Sequence, residues 1–355
     1  MKVYLQYPWA FPDSTYYKTL INYPSKGIEY LNTFKIKEGP TVSRNNFFLS
    51  NFLKRNIRLG FRLFKNSLPN AHLSPKGDYD LIHCAHCLSK NNTPWVTDIE
   101  GLFSLQVADI MTKKGKENIK RFLLRDSCKK ILPWTEKVKK DILNEFPEVE
   151  SKIEVVYPAI PEIINLNKPL NERLKIIYVA RYFHLKGGLN ALDVLEQLRK
   201  KHNIEGIVVS DVPEDIKKEY PNLKIYDLLP QEELFKLMES SDIFLYPSPV
   251  DTFGFSLLEA MAFGLPIVTI NARQTESRDE IVKNGVHGFI YEFGNGVFVQ
   301  KNLFKGCEKL ILDKGLRERI SNNCLNEIKD GRFSIKQRND KLKRIYKEAL
   351  NVTTS

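Results

Sequence analysis

Long apolar runs are missing from this chain, and acidic residues are scarce in its first half. No stretch of the 355 residues reaches 18 apolar positions without a charge, which excludes a membrane-spanning helix of ordinary length. The opening Met1-Lys2-Val3-Tyr4-Leu5-Gln6-Tyr7-Pro8 stops being apolar too soon for a signal peptide and reads as a first strand. Cysteine is sparse as well. Five thiols, an odd number in a long chain without an export signal, argue for reduced cysteines and a cytoplasmic setting. Glycine and proline, 18 of each, are too few for a collagen-like or low-complexity chain. No internal repeat of fixed period is present.

What is present is a globular composition, 42% hydrophobic and 27% charged, which excludes wholesale disorder. At about 150 residues per domain the length predicts two domains. The net charge of +11 is uneven: residues 1–170 hold 26 Lys/Arg against 17 Asp/Glu, and the remainder 28 against 26. An excess of that size fits an anionic partner for the first half, whether nucleic acid, a membrane surface or a phosphorylated substrate, and equally a solvated basic face.

The second half alternates short apolar runs of strand length with helical patterns. Strands are predicted at Lys175–Ala180, Gly206–Ser210, Leu223–Asp227, Asp242–Tyr246 and Pro266–Ile270, with helices over 188–201, 231–241 and 255–263. Near-continuous apolar strands separated by helices specify a parallel sheet covered on both faces, one doubly wound domain. The first half follows the same grammar, with strands at Lys2–Tyr7, Tyr79–Cys84, Pro94–Thr97 and Lys130–Pro133 and helices near 46–64, 115–127 and 135–146. A Pro-punctuated stretch from Tyr157 to Pro169 suits a linker. Charged helices over 303–330 and 334–350 close the chain.

Two strand-to-helix loops carry chemistry. In Pro247-Ser-Pro-Val-Asp-Thr-Phe-Gly-Phe-Ser-Leu-Leu-Glu-Ala-Met-Ala-Phe-Gly-Leu-Pro266, a strand ends, a loop carries Asp251 and Gly254, and a helix opens near Phe255. Ligands of doubly wound sheets sit outside the carboxyl ends of the strands. Gly254 permits close backbone approach, and helix-start N–H groups can hold phosphate. Asp251 from the loop and Glu259 from the helix are acceptor-only groups suited to sugar hydroxyls. In Val179-Ala-Arg-Tyr-Phe-His-Leu-Lys-Gly-Gly188, Arg181 and Lys186 bracket a second such loop, a pair of cations fit for a diphosphate. Each segment alone is also compatible with an ordinary loop bearing solvated charges.

Together these pieces resemble the nucleotide-sugar domain of family 4 glycosyltransferases of the GT-B fold. Arg181, Lys186-Gly187, Pro247-Ser248, Phe253-Gly254, Glu259-Ala-Met-Ala262 and Gly264-x-Pro266 stand where that family's motifs stand, in the same order over about 175–290. Arg278-Asp-Glu-Ile-Val-Lys-Asn-Gly-Val-His-Gly288 resembles the segment just downstream. Two departures are visible. Ala180 replaces the usual Gly before the Arg, and Asp251 replaces the first Glu of the paired-glutamate motif. The resemblance gives that position to the transferred sugar, so the shorter side chain leaves the sugar open.

Resemblance in the first half is weaker. Arg125 to Asp141 looks like the family's strand into a helix capped by Thr135, and Lys152-Ile-Glu-Val-Val-Tyr-Pro158 like the strand before the linker. Pro94-Trp-Val-Thr-Asp-Ile-Glu100 falls where many members carry a His that touches the sugar or the acceptor hydroxyl; here Asp98 and Glu100 stand instead. His83-Cys-Ala-His-Cys87 has the look of a metal cluster, but Cys128, Cys307 and Cys324 bring no companion Cys-x-x-Cys or His pair. His83 and His86 are left between a sugar or acceptor contact and plain packing.

Residues 46–65 carry a feature outside the resemblance. Lys54, Arg55, Arg58, Arg62 and Lys65 fall within one arc at helical spacing, Phe and Leu fill the opposite side, and no acid interrupts from Arg44 to Lys65. Such a segment fits a membrane interface or a core helix with a wet basic side.

The expectation is therefore an α/β chain of GT-B type, two doubly wound Rossmann-like domains facing a central cleft. Residues 1–162 bind the acceptor, residues 163–333 bind the donor, and helix 334–355 packs back on the first domain. The resemblance implies transfer of a hexose from a nucleotide-diphosphate sugar (UDP or GDP) to an acceptor hydroxyl with retention, without metal or cofactor. Arg181 and Lys186 neutralise the diphosphate, Glu259 holds the ribose, Asp251 the hexose, and Phe253, Gly254 and Phe255 complete the donor site. Asp98 and Glu100 join Arg181, Lys186 and Asp251 as catalytic candidates, at least one of them touching the donor sugar or the acceptor hydroxyl, although Asp98 alone also reads as a loop turn former. A glycan or lipid-linked acceptor and contact with anionic membrane are expected, and nucleic acid is not, because no stacking platform interleaves the basic runs. The rivals are a sugar-nucleotide epimerase on the same fold, which needs several acid–base groups, and a basic nucleic-acid-binding protein.

Overall fold

The computed structural model describes residues 1–7, 15–33, 68–107, 112–163, 172–272, 274–275, 278–294 and 296–351. Two compact units are present: Met1–Ala159 with Ile335–Ser355, and Ile160–Ser334.

The first unit is built on the strands β1 (Lys2–Gln6), β2 (Glu29–Leu31), β4 (Leu81–Ala85), β6 (Trp95–Ile99) and β7 (Cys128–Pro133), with a separate pair, β3 (Ala71–His72) and β5 (Leu88–Ser89). The five-stranded sheet runs β2-β1-β4-β6-β7 and is parallel throughout. Every residue of β4 and β6 is buried, as expected of strands covered on both faces. The chain order places the reversal of winding between β1 and β4, the point outside which such sheets bind ligands. Helix Glu136–Glu145 starts where the sequence predicts: Thr135 accepts a hydrogen bond from the Val138 N–H at 3.1 Å. The Lys152–Pro158 stretch forms no full strand. After a 3-10 turn at Pro147–Lys152 it lies beside β7 through a single bridge, Ile153 to Ile131.

Helix Ile335–Ala349 belongs to this unit. Its buried face, Arg338, Leu342, Ile345, Tyr346 and Ala349, repeats at helical spacing. Arg338 donates to Thr19 Oγ1 at 2.9 Å and to the Tyr23 carbonyl at 3.0 Å, which fastens the helix to the segment Thr15–Asn22. Residues 46–65 lie outside the described residues.

The second unit holds β8 (Leu174–Val179), β9 (Ile204–Val209), β10 (Lys224–Tyr226), β11 (Ile243–Tyr246), β13 (Ile267–Asn271) and β15 (Gly288–Glu292), with the small pair β12 (Val250–Asp251) and β14 (Gln274–Thr275). The six-stranded sheet runs β10-β9-β8-β11-β13-β15, parallel throughout. That is the doubly wound order 3-2-1-4-5-6, with its switch point between β8 and β11. Helix Gly188–Lys201 buries Ala191, Leu192, Val194, Leu195 and Leu198 on one face. The sequence pattern does not announce β15, whose residues are mostly half-buried.

Candidate functional site

In the second unit the switch point is lined by the two loops that the motifs identify. Gly187 ends the loop after β8 with φ +76°, and a Cβ there would lie 2.3 Å from the Pro247 carbonyl oxygen. Only glycine lets the two loops approach so closely. Gly254, at φ +97°, opens helix Phe255–Ala262, and neither this helix nor Gly188–Lys201 has a side-chain cap at its N-terminus. Their N-terminal ends offer positive potential to an anion. Arg181 is exposed and Lys186 is partly buried.

Lys186 Nζ donates to the Val250 carbonyl at 2.6 Å and lies 3.4 Å from Asp251 Oδ1. The other oxygen, Asp251 Oδ2, accepts from the Tyr246 hydroxyl at 2.8 Å and lies 3.6 Å from Arg278 Nη2. Arg278 is buried, its guanidinium 5.2 Å from the centre of the Tyr246 ring. Burial pulls the Arg278 guanidinium below its ordinary value, while Tyr246 and Asp251 act to raise it. Phe253 is buried against Phe255 and Phe333, so it offers a ligand its backbone rather than its ring. Glu259 and Phe255 are partly buried.

The first unit gathers a different set at the carboxyl ends of β4 and β6. Asp98, 1% exposed, pairs in register with Ala85. Its Oδ1 accepts from the His86 backbone N–H at 3.0 Å and the Tyr17 hydroxyl at 3.2 Å. Its Oδ2 meets His83 Nε2 at 3.2 Å. Since a carboxylate only accepts, that His83 nitrogen carries the hydrogen, and Nδ1 meets the Tyr346 hydroxyl at 2.5 Å. Tyr346 in turn is 3.2 Å from the Tyr30 hydroxyl. His86 stands at φ +52°, an uncommon conformation for a residue with a side chain. Its Nδ1 is 3.1 Å from Asp98 Oδ1 without hydrogen-bond direction, and its Nε2 is 3.9 Å from Glu100 Oε2. The ring packs edge-on to Trp134 at 4.7 Å. Burial alone would raise the Asp98 carboxyl, but the two histidines and the His86 N–H hold it below the ordinary carboxylate range.

A family model described as glycosyl transferases group 1 matches residues 160–326, nearly the whole of the second unit. The second unit carries a group 1 glycosyltransferase domain. It is 30% identical over 157 residues to an uncharacterised 41.2 kDa protein in the cps region of Klebsiella pneumoniae, covering 41% of this chain and 42% of that one. An uncharacterised glycosyltransferase of Methanocaldococcus jannaschii is 24% identical over 290 residues, 70% of each chain. The chain thus spans less than half of one curated relative it matches and more than two thirds of the other. Among solved structures, Anabaena HepE in complex with UDP superposes with a TM-score of 0.63 at 15% identity, covering 98% of this chain and 99% of that one. The fold is GT-B, α/β with parallel sheets.

The match over residues 160–326 agrees with the motif order, and the structure adds where the side chains lie. It brings Lys186 and Asp251 together in the second unit, and His83, His86, Asp98 and Glu100 together in the first. The His-Cys-x-His-Cys run does not converge: Cys84 and Cys87 are buried in the core while both imidazoles turn to Asp98. Among the described residues no group of three His, Cys, Asp or Glu side chains could hold a metal ion. No helix among them is long and apolar enough to cross a membrane. Sequence reasoning gives no role to Tyr246, Arg278, Tyr17 or Tyr346. Tyr246 and Arg278 flank recognised motifs, and their places beside strand ends were the available signal. Tyr346 is 263 residues from His83 and gave none.

Proposed function

We propose that this chain transfers a hexose from a nucleotide-diphosphate sugar to an acceptor hydroxyl, with the second unit as donor domain and the first as acceptor domain. The observation that carries the reading is the convergence of Lys186 and Asp251 at the switch point of a 3-2-1-4-5-6 sheet, beside two uncapped helix starts. Arg181 and Lys186 offset the charge that grows on the leaving diphosphate, in the role a metal ion fills elsewhere. Glu259 takes the ribose and Asp251 the hexose. The resemblance supports retention, with the donor phosphate helping to deprotonate the acceptor. In the first unit, Glu100 and His86 are the more open groups and meet the acceptor, and Asp98 orients His86 from below.

The test is incubation with labelled UDP- and GDP-sugars, scoring transfer, hydrolysis and epimerisation. Release of nucleoside diphosphate supports the reading. A nucleotide sugar epimerised without release would replace it by an epimerase, whose acid–base work His83, His86 and Asp98 would then perform.

The acceptor we propose is a lipid-linked or envelope glycan reached from an anionic membrane surface. Six basic residues without an acid from Arg44 to Lys65 support this, at about 1 kcal/mol per residue near such a surface. Co-sedimentation with phosphatidylglycerol vesicles is expected at about 0.05 M salt and lost at about 0.5 M, and weakened by Arg55/Arg58/Arg62→Ser. Wild type that ignores these vesicles at low salt would place the acceptor in solution, and binding that ignores the triple change would remove this segment from the contact.

A further inference from the structure

One buried charge in the donor unit has no task in this reaction. Arg278 is 1% exposed. Its Nη1 donates to the Ser248 carbonyl at 2.6 Å, the Ile270 carbonyl at 2.7 Å and Thr269 Oγ1 at 3.2 Å. The guanidinium thereby ties the loop after β11 to the end of β13. Nε and Nη2 find no hydrogen-bond acceptor among the described residues. A buried cation with unused N–H groups is costly unless a partner is supplied. The anion it faces, 3.6 Å from Nη2, is Asp251.

Asp251 has two kinds of neighbour. Lys186 approaches Oδ1, while Tyr246 and Arg278 approach Oδ2. The nucleotide-sugar reading gives Lys186 to the diphosphate, and a doubly charged or more anionic group draws the flexible ammonium away from one carboxylate. Oδ1 then loses its cation. Tyr246 and Arg278 are fixed by the sheet and cannot follow.

We infer that Tyr246 and Arg278 are positioning residues that hold Asp251 through Oδ2, so that Oδ1 faces a donor-sugar hydroxyl once Lys186 turns to the diphosphate. The inference rests on the nucleotide-sugar reading. It makes occupation of the diphosphate site a condition for sugar contact, because Lys186 covers Oδ1 until the diphosphate draws it off. It also accounts for an Asp where the family carries Glu: a short carboxylate braced from behind replaces a longer one.

The experiment is a double-mutant cycle on the full-length chain. Binding of UDP and GDP is measured by calorimetry, and donor turnover with UDP-glucose, UDP-N-acetylglucosamine and GDP-mannose, for wild type, Tyr246→Phe, Asp251→Asn and the pair. Tyr246→Phe keeps the ring beside Arg278 and all three Nη1 bonds, so it decides the matter even if Arg278→Lys does not fold. We expect Tyr246→Phe to leave diphosphate affinity within about twofold and to lower kcat about tenfold, the effect of one hydrogen bond to a charged group. In the Asp251→Asn background the same change should cost less than about twofold. Arg278→Lys should show the same dependence on Asp251. A full tenfold loss in both backgrounds overturns the inference, as does a fall in diphosphate affinity equal to the fall in turnover. Wild type that binds no nucleoside diphosphate overturns the nucleotide-sugar reading itself, and this inference with it.

Discussion

The two units place charge at the carboxyl ends of their sheets in opposite ways. In the second unit the two cations given to the diphosphate stand nearer the surface than the buried Arg278, with Arg181 exposed and Lys186 sharing one carbonyl and one carboxylate. In the first, the charge is Asp98, closed in by donors from His83, His86 and Tyr17. An under-satisfied charge at a strand end is built to meet a ligand. A saturated one is built to hold its neighbours still. The contrast assigns direct contact to Lys186 and orientation to Asp98, and each assignment can be broken separately.

Lys186 should give the largest effect. Lys186→Ala is expected to lower transfer by about 10²-fold or more, the range for losing one preorganised donor at a developing charge, with circular dichroism unchanged. Turnover within about threefold of wild type would remove Lys186 from the diphosphate. Asp98→Asn should act on the fold first. Loss of the charge that three hydrogen-bond donors share is expected to cost about 2 kcal/mol, read as a lower denaturation midpoint. A variant as stable as wild type but inactive would move Asp98 from orientation to direct chemistry.

The acidic pair of the donor unit sharpens the comparison at smaller magnitude. Glu259→Gln should weaken binding of the nucleoside diphosphate itself by about tenfold, since ribose is part of that ligand. Asp251→Asn should leave that affinity nearly intact while impairing sugar transfer. Equal effects on the free nucleotide would end the proposed division between the two.

The same contrast explains what the sequence makes legible. Donor-unit motifs are local: Arg181 and Lys186 are five positions apart, Asp251 and Glu259 eight, and each pair rides on one strand–loop–helix. Apolar runs such as Ile243–Tyr246 announce the strands because both faces are covered. Gly288–Glu292 escaped because its residues are mostly half-exposed and the run follows a turn. Acceptor-unit chemistry is assembled from Tyr17, His83, Asp98 and Tyr346, far apart in the chain, and no spacing rule joins them. Asp98 reads locally as a turn former, whereas the structure puts it inside β6. The short strand Glu29–Leu31 has its exposed edge at one side of the sheet and lacks the apolar signature that reveals the others.

Acid stability is the finest test of the closed network. The Asp98 carboxyl is held below its ordinary range in the folded chain, so the folded state binds fewer protons there than the unfolded state. Its contribution is fully present above the unfolded value, near pH 4, and is lost as pH falls through the lower folded value. Other carboxylates titrate in the same window: Asp78, Glu148, Glu196, Glu308 and Glu348 are also lowered by their Lys or Arg partners. Wild type alone therefore cannot isolate the effect, but comparison with Asp98→Asn does, because asparagine has no proton to take up. The stability difference between the two should shrink as pH drops below about 4. A difference that stays constant down to about pH 2 would mean that folding leaves the Asp98 carboxyl at its unfolded value, and the network would then hold its histidines by shape alone.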